Sequence, residues 1–216
     1  RYYYGSDGVL DIYFVQYATA TNFGAICGIS SFTNSGIEGI VIVNGCWGLA
    51  DGTAQHEIGH YFDLYHTHQE GPAEYVDGQY CSYRGDGICD TPADPDLSEP
   101  GYVSSSCVYT GSNLNDPAVD GHGQLFDDCQ GYEPCELYGG PDTRNWMNYN
   151  LYDGCTDHFS EGQWEKLQLV LHYTGGNGRA DHLQDPLYGE FQLNETNYLE
   201  TDGDFDGNIN PGESVS

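Results

Sequence analysis

Hydrophobic and polar positions alternate along residues 9–17 (VLDIYFVQY), a stretch rich in β-branched and aromatic side chains, which predicts a strand. A short apolar run over 38–44 (EGIVIVN) predicts a second strand, either buried or at a sheet edge. The pattern then lengthens to helical spacing over 53–63, with Thr53 the expected N-cap. From 67 to 158 no period persists, and clusters of Gly, Pro, Asp and Asn predict loop. A loop that long counts against a compact domain unless disulfides or bound calcium hold it. Ser160 and Gln163 then form a capping-box pattern. It opens a helix running to about residue 173, with Trp164, Leu167, Val170 and Leu171 expected on its apolar side. No internal repeat is present.

Composition changes this picture in two ways. The 216 residues support one modest domain with a real core, and they carry 34 acidic against 5 basic side chains for a net charge of −29. Such a surface repels phosphates and anionic bilayers, so nucleic acid and membrane are not expected as partners, and no run is long enough to span a membrane. It suits saline or calcium-rich surroundings and attracts basic substrates; solubility alone explains it equally well. The 8 Cys (27, 46, 81, 89, 107, 129, 135 and 155) form no CxxC pairs. An even count in a loop-rich acidic chain predicts disulfides and a secreted, extracellular protein. The chain starts at Arg1 without Met and without a signal peptide, which reads as a processed product or fragment.

The candidate chemistry sits on the first helix. Residues 56–66 read H-E-I-G-H-Y-F-D-L-Y-H. On a helix, His56 and His60 share one face and can hold one metal ion between them. Glu57, one residue round, reaches a water on that metal without displacing a ligand. His66 lies too far along for the same face, so the chain must turn after about residue 63 to return it as the third ligand. Alone, the two-histidine pattern is a weak signal that many surface helices show by chance. The third histidine and the downstream Asn145-Trp146-Met147-Asn148-Tyr149, which holds the chain's one Met, make it specific.

With these motifs the sequence resembles the metzincin zinc peptidases, and within them the pappalysin (ulilysin-like) family. Further counterparts are Thr67, Gly85-Asp86 with Asp90-Thr91-Pro92, Cys155, and Phe159-Ser160-Glu161-Gly162-Gln163. The resemblance covers about 38–173. It implies an α+β fold: a partial upper sheet with the active-site helix (1–66) and a loop-rich, disulfide-stapled lower subdomain (67–184). Residues 185–216 then follow as an acidic linker. Because the resembling enzymes carry a longer upstream part, some of the N-terminal subdomain is expected to be missing.

The resemblance implies zinc on His56, His60 and His66 and peptide hydrolysis through a zinc-bound water, with Glu57 as general base. It places Met147 as a hydrophobic floor beneath the metal. It gives Tyr149 either an oxyanion-donor role or a packing role, and it implies a sheet edge that pairs with extended substrate. Asp86, Asp90 and Thr91 are candidate calcium ligands, or else a simple Asp-Thr-Pro turn. Asp153 is the candidate for a pocket favouring Arg or Lys after the scissile bond, or else a solvated turn residue. The implied pairing joins Cys107 to Cys155 and Cys81 to Cys129 or Cys135. Cys27 and Cys46 are then a local pair, and Cys89 takes the remaining partner. One departure stands out: the family has Gly where this chain has Asp63, at a turn that demands a left-handed backbone. An Asp third ligand or a distant Glu third ligand lacks its own motif here, so His66 is preferred.

In the tail, Asp202, Asp204, Asp206, Asn208 and Glu213 fall at calcium-loop positions, although Pro211 and Gly212 argue against a full EF-hand and an acidic linker explains them equally. His68, His122, His158, His172 and His182 show no partner spacing and are read as structural or exposed. The functional expectation is a monomeric, secreted zinc endopeptidase acting on proteins or peptides. The rival is a non-catalytic or truncated domain of the same type that binds peptide or calcium.

Overall fold

The computed structural model describes residues 10–20, 24–33, 35, 39–47, 52–68, 73–150, 152, 154–173 and 178–179, all within the compact unit Arg1–Leu183. Two alternating segments in the first third build a three-stranded sheet in the order β1-β5-β4, from β1 (Ile12–Val15), β4 (Gly28–Ser30) and β5 (Ile40–Val43). β1 runs parallel to β5, with Ile12 opposite Ile40, and β4 runs antiparallel to it, with Gly28 opposite Ile42. The apolar run 38–44 is therefore central rather than an edge. The edge beside the helix is β4, whose Gly-Ile-Ser carries no strand signal. A small antiparallel pair, β2 (Thr19–Ala20) and β3 (Gly24–Ala25), precedes it.

Helix α1 spans Thr53–Tyr61 and packs on β4 and β5, burying Ile40, Ile42 and Tyr61 together with Ile58. Its N-cap is Gly52, not Thr53. Gly52 has φ +66, and a Cβ there would come within 2.5 Å of the Thr156 hydroxyl, so neither the backbone nor the space admits another side chain. Helix α3 spans Glu161–His172 and carries the full capping box on Ser160. Its inner face differs from the apolar reading: Trp164 is 50% exposed, whereas Gln163 is fully buried. The Gln163 amide exchanges hydrogen bonds of 2.9 and 3.1 Å with Asn145 and accepts the Ser160 N–H, so the core position is filled by a satisfied polar pair.

Among its described residues, the segment 67–158 contains one further α-helix, α2 (Glu133–Tyr138), two short 3-10 helices at Cys81–Tyr83 and Gly111–Asn113, and otherwise mostly turns. Side-chain carboxylates and amides organise them. Asp77, Asp86, Asp94, Asp96, Asp120 and Asp142 each accept the backbone N–H two residues on. Asn145, Asn148 and Asn150 repeat the motif through the Met147 turn. A core of Val76, Leu97, Val103, Tyr109 and Phe126 lies beneath these loops.

Four disulfides staple the described chain: Cys27–Cys46, Cys81–Cys89, Cys107–Cys155 and Cys129–Cys135. The long pairing between Cys81 and Cys129 or Cys135 does not form. Left-handed residues Gly85 and Gly87 fold the chain back between Cys81 and Cys89, and Gln130 and Gly131 do the same between Cys129 and Cys135, so each cysteine meets a near neighbour.

His158 has more partners than its spacing suggested. Its ring bonds Asp142 at 2.9 Å and Asp157 at 2.7 Å, and Asp157 also pairs with Arg144. The hydrogen bond the ring donates to Asp142, ahead of the one it donates to Asp157, raises the imidazole to about 9. A folded value above the ordinary one means the stabilisation is complete below about pH 6.5 and disappears as pH rises through about 9. Thermal unfolding at pH 6.5 and 9.5 should show a loss of about 1–2 kcal/mol, allowing for solvent screening. His158→Gln should remove most of that difference.

Candidate metal centre

Helical periodicity brings His56 and His60 to one face of α1, and the end of the helix delivers His66. The N–H groups of Asp63 and Leu64 donate to the carbonyls of His60 and Gly59, at 3.0 and 2.9 Å, which closes the helix in a left-handed cap. Asp63 itself has φ +63. The turn is therefore made with Asp where the resembling family has Gly. Beyond it the Thr67 N–H bonds the Met147 carbonyl at 3.1 Å, pinning the strand of chain that bears His66 to the Met turn.

The three histidine Nε2 atoms lie 2.9, 3.1 and 3.2 Å apart. His56 Nδ1 is 2.7 Å from the Trp146 carbonyl and His60 Nδ1 is 2.8 Å from the Leu64 carbonyl. A carbonyl only accepts, so in these two rings the proton sits on Nδ1 and the Nε2 lone pair is free. Burial first, then the neighbouring imidazoles, lowers His56 to about 3 and lowers His66 further. His60 is lowered by burial as well. The result is a cluster of neutral imidazoles whose Nε2 atoms converge, with the His56 and His60 lone pairs facing inward. A cation can be held by all three nitrogens. Tetrahedral zinc with Zn–N near 2.0–2.1 Å asks for nitrogens about 3.3 Å apart, so the donor set fits it. Among the described residues these three side chains are the one group of three or more His, Cys, Asp or Glu close enough to share an ion.

Met147 is fully buried against Leu64, Ile88, Phe159 and Leu167. Gly59 lets α1 settle on it, because a Cβ there would run into the Met147 sulfur. Glu57 is buried, its Oε2 has no hydrogen-bond partner among the described residues, and burial raises it to about 8. It leans on β4: a Cβ on Gly28 would lie 2.5 Å from Glu57 Oε1 and 2.7 Å from its Cγ. No sequence signal marked Gly28. Tyr149 is 42% exposed, with its ring 4.4 Å from His66 and 5.6 Å from His56, and burial raises its hydroxyl, so it stays protonated at neutral pH. His68 stacks on His66 at 4.9 Å with the rings 4° from parallel. A cavity of about 520 Å³ opens here, bordered by Gly28, His56, Glu57, Trp146, Tyr149 and Thr156.

The expected calcium ligands separate. Asp86 accepts the Ile88 N–H and sits 3.0 Å from the Thr91 hydroxyl, but Asp90 turns away to accept Ser160 Oγ and the Gly162 N–H at the start of α3. The helix N-terminus offers Asp90 unpaired donors, and those hold it there. In its place stands Glu74, only 4% exposed, with neither oxygen bonded among the described residues. Burial, then Asp86 and Asp94, raises Glu74 to about 9, and burial raises Asp86 to about 7. Asp153, Asp202, Asp204, Asp206, Asn208 and Glu213 lie outside the described residues.

An extracellular metalloprotease of Neurospora crassa is 33% identical over 116 residues, covering 53% of this chain and 28% of the fungal protein. One from Arthroderma gypseum is 29% identical over 125 residues, covering 58% and 31%. The chain is similar to extracellular metalloproteases. The chain spans about a third of the length of the curated relatives it matches. No family model matches the sequence. The structure of mature mirolysin from Tannerella forsythia with a cleaved peptide aligns at a TM-score of 0.49 and 24% identity, over 80% of this chain and 55% of that one. Among the described residues no helix is long and apolar enough to cross a membrane.

The contact between β4 and Glu57 generates a direct test. Gly28→Ala should leave the fold and the histidine cluster intact, because the obstructing atoms belong to one side chain. It should displace the Glu57 carboxylate, checked by comparing crystal structures of the variant and the wild type.

Proposed function

We propose that this chain carries the catalytic centre of a secreted zinc endopeptidase, acting on extended segments of protein or peptide. The observation that carries this reading is the convergence of three imidazole Nε2 atoms beside the buried Glu57 carboxylate, whose Oε2 has no hydrogen-bond partner among the described residues. His56, His60 and His66 would hold the zinc, which when bound acts as a Lewis acid and makes water easier to deprotonate. Glu57 takes the proton from water. Its raised proton affinity suits it to keep that proton briefly and deliver it to the leaving amine. A cation on the imidazoles draws its value down, which leaves the carboxylate ionised and ready to accept at neutral pH. The Tyr149 hydroxyl, protonated and beside His66, donates to the oxygen that gains charge as the carbonyl is attacked. Met147 and Gly59 keep α1 from shifting over the turn below.

The cavity supports a preference for extended chains. β4 borders it with an edge that pairs with no other strand among the described residues, so a substrate strand can add there. Glu57 is the one acidic group among its described lining residues. A preference for Arg or Lys after the scissile bond therefore rests on Asp153. Glu74 and Asp86 would share a calcium ion, because two buried carboxylates so hard to ionise together gain most from a divalent cation.

Glu57→Ala should retain about one zinc per chain by mass spectrometry and lose ~10²–10⁴-fold in kcat/KM, whereas His66→Ala should lose the zinc as well. Turnover of Glu57→Ala within tenfold of wild type contradicts the general-base role. Cleavage-site profiling of the wild type should show cuts before Arg or Lys; cuts mainly before Leu or Phe exclude the Asp153 pocket.

Calcium removal should lower the melting temperature of the wild type but not of Glu74→Gln, since the ion stabilises only the folded state. An equal drop in both places the calcium elsewhere.

A further inference from the structure

We propose that Asp63 is a positioning residue, latching the corner that follows β4 onto the turn after the active-site helix and so holding the substrate edge of the sheet in place. The inference rests on the peptidase reading for its kinetic consequence only. The Asp63 carboxylate accepts the Thr33 N–H at 2.8 Å with Oδ1 and the Thr33 hydroxyl at 2.5 Å with Oδ2. Both oxygens thus serve one residue thirty positions away. A second charged group grips the same corner from the other side. Arg179, 1% exposed, lies over the Tyr61 ring at 3.8 Å and donates to the carbonyls of Tyr61 and Ser31, at 3.3 Å each. Between the two grips, Phe32 packs its ring 5.4 Å from both His60 and Tyr65. The corner Ser31–Thr33 is therefore fixed to the helix end at each of its residues, and β4 is the strand that runs into it.

This accounts for an Asp at a position where a left-handed backbone favours Gly. Gly would make the turn at least as easily but has no side chain with which to reach β4. β4 needs an anchor: it has three residues, it has a partner strand on one side only among the described residues, and its Gly28 is where Glu57 rests. The left-handed cap supplies the direction of the chain toward His66, whereas the carboxylate supplies the tie to β4. The two roles separate by substitution. Asp63→Gly keeps the first and deletes the second. Asp63→Asn keeps both, since its amide oxygen can accept the Thr33 N–H while its NH₂ donates to the Thr33 hydroxyl.

The test is amide hydrogen exchange of residues 28–33 in the zinc-loaded protein, joined to zinc affinity by chelator competition and steady-state kinetics on a quenched peptide. Asp63→Gly should speed exchange in 28–33 at least tenfold, raise KM at least fivefold with a smaller change in kcat, and leave zinc affinity within threefold. Asp63→Asn should match wild type, and Thr33→Val, which keeps the backbone bond, should move exchange and KM in the same direction by less. Unchanged exchange in Asp63→Gly overturns the latch. Loss of zinc in that variant overturns it too, by showing that the residue serves His66 instead. If the wild type cleaves no peptide, the peptidase reading fails, while exchange and zinc affinity still decide the latch.

Discussion

Three imidazole Nε2 atoms within 3.2 Å of one another, those of His56 and His60 presenting lone pairs, form an arrangement that the surrounding chain has to hold in place. Everything around the site can be understood as the scaffold that keeps those rings together until a cation rewards the closeness. The helix fixes two of them by its period. The left-handed cap at Asp63 returns the third. Carbonyls of Trp146 and Leu64 take the Nδ1 protons of His56 and His60 and so decide which nitrogen faces inward. The Met turn, its asparagines bonding successive backbone N–H groups, sets the Trp146 carbonyl where His56 needs it.

The acidic composition takes on a different meaning in this light. A net charge of −29 suggests a repelling surface, and part of it is that. Several of the carboxylates are nevertheless structural, closing turns through backbone N–H groups in a segment with little regular secondary structure. Asp90 caps α3, Asp63 ties the helix end to β4, and Asp142 holds His158. The short-span disulfides Cys81–Cys89 and Cys129–Cys135, with the longer Cys107–Cys155, staple the same segment. Glu74, beside Asp86, is buried with neither oxygen bonded among the described residues.

What could be read from the sequence follows from range. The helix carrying His56, Glu57 and His60, the capping box at Ser160 and the alternation of β1 are local patterns, so periodicity and capping chemistry reveal them. The third histidine was legible through its spacing and the turn that spacing demands. Contacts set by tertiary approach were not. Nothing in Gly28-Ile29-Ser30 marks an edge strand, because its neighbours supply the pairing. Gly28 and Gly59 matter for what lies above them, which a sequence does not show. The cysteine partners of 81 and 129 depended on left-handed turns at Gly85, Gly87, Gln130 and Gly131 that bring near neighbours together first. Asp90 was read for its chemistry, and the unpaired donors at the start of α3 claimed its side chain; Gln163 was legible as the partner in the Ser160 capping box, but its burial against Asn145 was not.

The central claim is that these imidazoles, and no other side chains, form the metal's protein ligands. X-ray absorption at the zinc edge tests it most directly on protein loaded with one equivalent. The account predicts three imidazole nitrogens and one further light-atom donor near 2.0–2.1 Å. A sulfur shell near 2.3 Å, fewer than three imidazoles, or failure to bind zinc stoichiometrically would contradict it.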